Sequence, residues 1–172
     1  WIKDNIFLTL LSFQQHKFKN CLPEIIDELP KDSLAVIGHA YGSHKRGAMG
    51  ENYRTLAPHV DKFLSKNKQV ISNTIFTGDV FYIPSANTWE TLYRKYDQFF
   101  NIFIAPGEHD VGKKNANPYR DIFNLKVGQK QPSLPFILYK ENFDIIIDDS
   151  NDESKFIHNI NALRLKKQND HL

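Results

Sequence analysis

The 172-residue chain has one cysteine, Cys21, which excludes an internal disulfide framework and is typical of a reducing compartment. It has no apolar run of about 20 residues, the length that a membrane-spanning helix needs. Its longest such stretch, Ile6 to Phe13, is far shorter. The 22 basic and 20 acidic residues leave a net charge of +2, which gives no signal for nucleic acid binding. These absences predict a cytoplasmic protein without a transmembrane segment.

Aromatic residues make up 13% of the chain, which is enough to build the core of one domain. We predict a single domain that covers all 172 residues. It consists of an N-terminal helical segment (1–32), an α/β core (33–151) and a C-terminal helix (152–172). The chain begins at Trp1 rather than Met, which indicates a processed product or a part of a longer protein. Two alternatives stay open for the natural chain: it ends at Leu172, or it continues beyond Leu172.

The centre of the predicted core is a strand–helix–strand unit over 73–112. Two short β-branched and aromatic runs flank a stretch with apolar residues at helical spacing, Thr88 to Phe100. A unit of this length is a right-handed parallel crossover. The fully apolar run Leu34–Ile37 predicts another buried parallel strand. The carboxyl ends of these strands lie at one edge of the sheet, where open α/β folds bind their ligands.

Further elements complete the predicted core. The apolar stripe within Tyr53–Asn67 predicts a surface helix. Phe136–Lys140 and Phe143–Asp148 predict two strands joined by a two-residue turn. The polar stretch Lys113–Pro135 predicts a long surface excursion with a short apolar island at Ile122-Phe123. The fold class expected from these elements is α/β.

Polar side chains follow three of the predicted strands. His39 comes after the first and Asp79 after the second, and Glu108, His109 and Asp110 come after the third. Carboxylates and imidazoles that converge from separate strand ends are ligands for Mg²⁺, Mn²⁺, Zn²⁺ or Fe. Two such ions, about 4 Å apart, would hold a phosphate and activate a water molecule for attack. The sequence therefore predicts a metal site at this edge.

The order and spacing of these turns resemble the calcineurin-like metallophosphoesterase family. Gly78-Asp79 is similar to that family's GD motif, and Gly107-Glu108-His109-Asp110 is similar to its GNHD motif. Gly38–Gly42 stands where the family has GDxHG, and Asp148-Asp149-Ser150 is similar to its acidic–serine turn. The resemblance covers Leu34–Asn151. It implies a metallophosphoesterase-like sandwich, a mixed and largely parallel sheet flanked by helices, present as all or part of the full four-layer fold.

The resemblance also implies roles for the matching residues. Asp79 would bridge two metal ions, and Glu108 and His39 would be further metal ligands. His109 would stabilise the transition state or protonate the leaving group, and Asp110 would orient His109 through a hydrogen bond. The implied activity is hydrolysis of a phosphate mono- or diester by metal-activated water. The implied cofactors are divalent ions (Mn, Fe, Zn or Mg), two of them if the site is complete.

The sequence departs from the family pattern at several positions. His39 and Tyr41 stand where the family has aspartate and histidine, and Glu108 stands where it has asparagine. No counterpart of the family's later histidine motif follows Ser150. These departures favour an alternative, a catalytically inactive metallophosphoesterase-like domain that binds a partner protein or an anionic ligand.

The turn after the first strand supplies the predicted substrate contacts, Tyr41, His44 and Arg46. Cationic side chains there would suit a phosphoester. Ser43 lies beside His44 and leaves a third alternative open, a metal-independent hydrolase with a hydroxyl nucleophile. The strained G-x-S-x-G turn typical of many such hydrolases is not present around Ser43.

Overall fold

The computed structural model describes residues 28–41, 55–112, 118–140, 143–149 and 151. Its strands are β1 (Ser33–Ile37), β2 (Ile71–Phe76), β3 (Asn101–Ile104), β4 (Phe136–Tyr139) and β5 (Asp144–Ile147). Its helices are α1 (Pro58–Asn67), α2 (Ala86–Tyr96), α3 (Glu108–Val111) and α4 (Pro118–Lys126). The described part of the chain is therefore an α/β fold, as predicted.

The strands β1, β2 and β3 form a parallel sheet. β2 lies in the centre and pairs with β1 on one side and with β3 on the other. α1 joins β1 to β2, and α2 joins β2 to β3. The predicted strand–helix–strand unit and the buried strand before it are both confirmed. Because the three strands run in one direction, their carboxyl ends lie at the same edge of the sheet.

One face of the parallel sheet carries the main core. Ile37, Phe76 and Ile104 are neighbours across the three strands, and all three are buried. They belong to the same apolar cluster as Leu64 of α1 and Trp89 of α2. Burial of each large apolar side chain stabilises the fold by about 2 kcal/mol. This core holds the sheet and its two crossover helices together behind the carboxyl edge.

The starts of the two crossover helices follow from local signals. α1 begins at Pro58, whose missing N–H is not needed in a first turn, and not at Tyr53 as the periodicity predicted. Ser85 caps α2, because its hydroxyl accepts from Thr88 N (3.2 Å) and Thr88 Oγ1 accepts from Ser85 N (2.7 Å). Because of this reciprocal capping, α2 begins at Ala86 rather than at the predicted Thr88. The helix ends at Tyr96 rather than at the predicted Phe100.

β4 and β5 pair in antiparallel orientation, as predicted. Within the described residues these two strands form a sheet of their own, separate from the parallel sheet, so the predicted single mixed sheet is not observed there. The contact with the parallel sheet is made by side chains. The ring of Phe136 lies 5.7 Å from the ring of Phe103. Because side chains alternate along a strand, Phe103 lies on the face of β3 opposite to that of Ile104. The complete metallophosphoesterase-like sandwich stays a prediction.

In 118–135, the part of Lys113–Pro135 that the structure describes, the prediction of a surface excursion without regular structure is wrong. α4 occupies nine of these residues, and its Phe123 is buried with its ring 5.7 Å from that of Trp89. Gln131 is buried as well. Its Oε1 accepts from Ile104 N (2.7 Å), and its Nε2 donates to Ile104 O (3.0 Å). A side-chain amide thus completes the hydrogen bonding of β3 on this side.

Several predictions fall outside the described residues. They are most of the N-terminal segment (1–32), the C-terminal helix (152–172) and the substrate contacts His44 and Arg46. Of the helices in the described part of the chain, none is long and apolar enough to cross a membrane.

Candidate functional site

Backbone hydrogen bonds hold the three strand ends together at the carboxyl edge. Thr77 N donates to Ile37 O (2.9 Å), and an equivalent bond joins β3 to β2 one residue past the strand. His39 N donates to Gly78 O (3.0 Å). The parallel pairing therefore extends into the turns that carry the predicted site residues.

The backbone of these turns is unusual. His39 (φ 52°), Gly78 (φ 103°) and Asp79 (φ 56°) all lie in the left-handed region. A residue with a side chain adopts this conformation at a cost of about 1 kcal/mol, and such residues are concentrated at functional sites. Gly107 approaches so closely that a Cβ there would overlap the Asp79 carboxylate, and a Cβ at Gly78 would lie 3.0 Å from Gly107 Cα. Both positions therefore require glycine.

Asp79 lies between two histidines. Its Oδ1 accepts from the backbone N–H of His109 (3.2 Å), and its Oδ2 lies 3.5 Å from Nδ1 of His39. Burial alone raises the pKa of Asp79, but the contact with His39, the bond from the His109 N–H and the charges of the two imidazoles outweigh it. The net pKa of Asp79 is lowered, so this side chain is a carboxylate at neutral pH.

Two tyrosines complete the site. The Tyr41 ring lies 4.2 Å from the His39 ring and 5.5 Å from the His109 ring. The Tyr82 ring lies 5.4 Å from Tyr41 and 4.5 Å from His109. We call His39, Tyr41, Asp79, Tyr82 and His109 the edge cluster. The sequence interpretation missed Tyr82; its position three residues after the Gly78-Asp79 motif is the signal that could have identified it.

Asp110 has a different role from the predicted one. Its Oδ1 accepts from Val80 N (3.0 Å) and Phe81 N (3.3 Å), and its Oδ2 accepts from Gly107 N (3.0 Å). Both oxygens therefore bind backbone amides rather than the His109 imidazole. Asp110 is fully buried, and burial raises its pKa to about 7. The hydrogen bonds from the three backbone N–H groups lower the pKa, but the effect of burial is larger.

The described residues do not fit a two-metal centre. Both Asp79 oxygens already have partners, Tyr41 offers no imidazole where the resemblance implies one, and the Asp110 oxygens bind backbone. Glu108 is exposed in the first turn of α3. In the described part of the chain, no group of three or more His, Cys, Asp or Glu side chains is arranged to hold a metal ion.

The acidic turn after β5 lies beside the edge. Asn151 Nδ2 donates to Pro106 O (3.0 Å), directly before the turn that carries His109. Arg120 of α4 forms an ion pair with Asp149 (2.9 Å). The acidic turn therefore lies near the site. The sequence interpretation missed Arg120 because its segment had been interpreted as a loop.

Comparisons with protein-family models, curated proteins and solved structures found no match to this chain. The chemistry of the edge cluster is therefore the basis for assigning a function.

Proposed function

We propose that this chain is a metallophosphoesterase-like domain that binds a phosphoester-bearing ligand at the carboxyl edge of its parallel sheet without hydrolysing it. The observation that carries this proposal is the set of partners around Asp79. Its two oxygens contact His39 and the His109 N–H, and the Tyr41 ring lies against both imidazoles. Two of the three side chains that the family resemblance assigns to metal binding, His39 and Asp79, are thus engaged with each other.

Two imidazoles at a partly exposed edge suit an anionic ligand. An imidazole ring can donate a hydrogen bond to a phosphate oxygen whether it is neutral or protonated. The side chains of His39 and Asp79 keep 32% and 24% of their surface exposed, so a ligand can reach this pair.

Metal-dependent hydrolysis of a phosphate mono- or diester is the second candidate function. It is favoured by one observation: Asp79 and the turn that carries Glu108 and His109 meet at one edge, as the family resemblance implies. A metal centre would need donors in addition to Asp79 Oδ2 and His39.

The test measures turnover and binding on the same preparation. We expect no release of nitrophenolate from p-nitrophenyl phosphate or its diester, with or without added Mn²⁺ or Zn²⁺. We expect inorganic phosphate to shift the NMR signals of the His39 and His109 imidazoles. His39→Gln and His109→Gln should weaken phosphate binding, whereas His59→Gln, on the exposed side of α1, is the matched control and should leave it unchanged.

The outcomes separate the two functions. Turnover that needs added metal and is lost in Asp79→Asn would establish the hydrolase and refute the binding-only proposal. Absence of both turnover and phosphate binding would refute both functions.

A further inference from the structure

Asp79 and Asp110 bind each other's turns in a reciprocal way. We call 77–82 the aspartate turn and 105–110 the histidine turn. Asp79, on the aspartate turn, accepts the N–H of His109 on the histidine turn. Asp110, on the histidine turn, accepts the N–H groups of Val80 and Phe81 on the aspartate turn. Each turn thus supplies a carboxylate to the backbone of the other.

The bonds made by Asp110 are shielded from water. Asp110 is 0% exposed, and so is Val80. The second oxygen of Asp110 accepts from the N–H of Gly107, the residue that caps α3. Asp110 therefore also fixes the start of that helix. Backbone N–H groups buried in this way would have no acceptor if the carboxylate were removed.

Loss of the Asp110 carboxylate would affect the edge cluster through the backbone. Asp79 directly precedes the two amides that Asp110 binds, and His109 directly precedes Asp110 itself. The close contact between Gly107 and Asp79 leaves little room for the turns to slide, because interiors are close-packed. A change at Asp110 must therefore shift both Asp79 and His109.

We propose that Asp110 is the positioning residue of the edge cluster: it fixes the aspartate turn against the histidine turn, and thereby sets the distance between the Asp79 carboxylate and the two imidazoles. The proposal assigns it no contact with ligand. It rests on the proposed function only for the claim that the positioned cluster binds a phosphoester.

The test uses Asp110→Asn in the full chain. The asparagine side chain keeps one oxygen acceptor but replaces the other oxygen with an NH₂ group. That NH₂ group then faces at least one of the backbone N–H groups that Asp110 now accepts from, and two donors cannot bond each other. We expect the imidazole signals of His39 and His109 to move, and phosphate binding to weaken on the order of tenfold. Tyr96→Phe, which removes a hydroxyl between α1 and α2, is the control for lost stability and should leave both imidazole signals in place.

Imidazole signals that stay unchanged in a less stable Asp110→Asn protein would overturn the proposal, since Asp110 would then be only structural. Moved imidazole signals in a chain whose wild type binds no phosphate would refute the proposed function and leave the positioning role standing. If Asp110→Asn does not fold, wild-type amide exchange decides. The amides of Gly107, Val80 and Phe81 should show one common free energy of opening once their intrinsic exchange rates are divided out, and different opening free energies would overturn the proposal.

Discussion

Two tyrosines on α2 have hydroxyl groups in opposite situations. The Tyr93 hydroxyl is buried and finds no hydrogen-bond partner in the described part of the chain. The Tyr96 hydroxyl lies 2.7 Å from Asp61 Oδ1 and 3.0 Å from Ser65 Oγ. A buried polar group without a partner destabilises the folded state, whereas a hydrogen bond to a carboxylate stabilises it. The same substitution, Tyr→Phe, should therefore have opposite effects at these positions.

We expect Tyr93→Phe to raise the free energy of unfolding by about 1 kcal/mol and Tyr96→Phe to lower it by about 1.5 kcal/mol. Urea unfolding at pH 7 measures both, and each variant is the control for the other because both lose one hydroxyl from one helix. Destabilisation of similar size in both variants would show that Tyr93 has a partner after all.

Alkaline pH offers a second measurement on Tyr93. In the unfolded chain a tyrosine ionises near pH 10, whereas burial, followed by the charge of Asp97, holds the pKa of Tyr93 well above that value in the folded protein. The contribution of Tyr93 to stability is therefore fully present below pH 10 and is lost progressively as the pH rises from about 10 towards the folded pKa. We expect the urea midpoint to fall between pH 9 and pH 11, and to fall less in Tyr93→Phe. An equal fall in both proteins would contradict this.

At the scale of elements, the edge of β3 depends on one side chain from outside the sheet. Gln131 bonds both the N–H and the C=O of Ile104, a residue that is 0% exposed. Gln131→Leu would leave both groups buried without partners and should lower the free energy of unfolding by about 2–3 kcal/mol. Gln129→Leu is the matched control, because Gln129 is exposed, and should change stability by less than about 0.5 kcal/mol. Urea unfolding of the two variants makes the comparison, and similar stabilities would contradict the bridging role.

Gln131 also shows why the elements were only partly predictable. β1 and β3 are short, largely apolar runs between polar turns, and β2 ends in a β-branched and aromatic run, so local pattern identifies all three without knowledge of the fold. α4 has Phe123 as its one buried residue and is flanked by Asn, Lys, Gly and Pro, so its periodicity is weak. The bond from Gln131 to Ile104 spans 27 residues, and no local pattern encodes it.

The candidate site was predictable to the same extent. Parallel strands bring their carboxyl ends to one edge, so the meeting of Asp79 with His109 follows from topology alone. Which hydrogen bond a carboxylate makes does not follow from topology. Asp110 was expected to bind the His109 imidazole, but its two oxygens accept from the backbone amides of Val80, Phe81 and Gly107. The position of Tyr82 three residues after Gly78-Asp79 places it near this edge, but its ring contacts with Tyr41 and His109 are visible only in the folded chain.

At the scale of the whole molecule, the two sheets differ in how they are supported. β2 has a strand on each side, and five of its six residues are buried. β4 and β5 have each other as strand neighbours in the described structure, and Tyr139 is 68% exposed. The β4–β5 pair is held to the rest by contacts such as the Phe136–Phe103 rings and the Arg120–Asp149 ion pair. Two-stranded sheets of this size are marginal by themselves.

This difference predicts unequal local stability. We expect native-state hydrogen exchange to show the β2 amides opening only with global unfolding, and the β4 and β5 amides exchanging faster through local opening. Phe136→Ala should increase exchange in β4 and β5 by about tenfold at unchanged β2 rates, because it removes the ring contact with Phe103. Tyr139→Ala, which removes an exposed ring from the same strand, should have a much smaller effect. If the rates of β2 and of the β4–β5 pair rise together in Phe136→Ala, the two sheets open as one cooperative unit, and the β4–β5 pair contributes directly to the stability of the parallel sheet that carries the edge cluster.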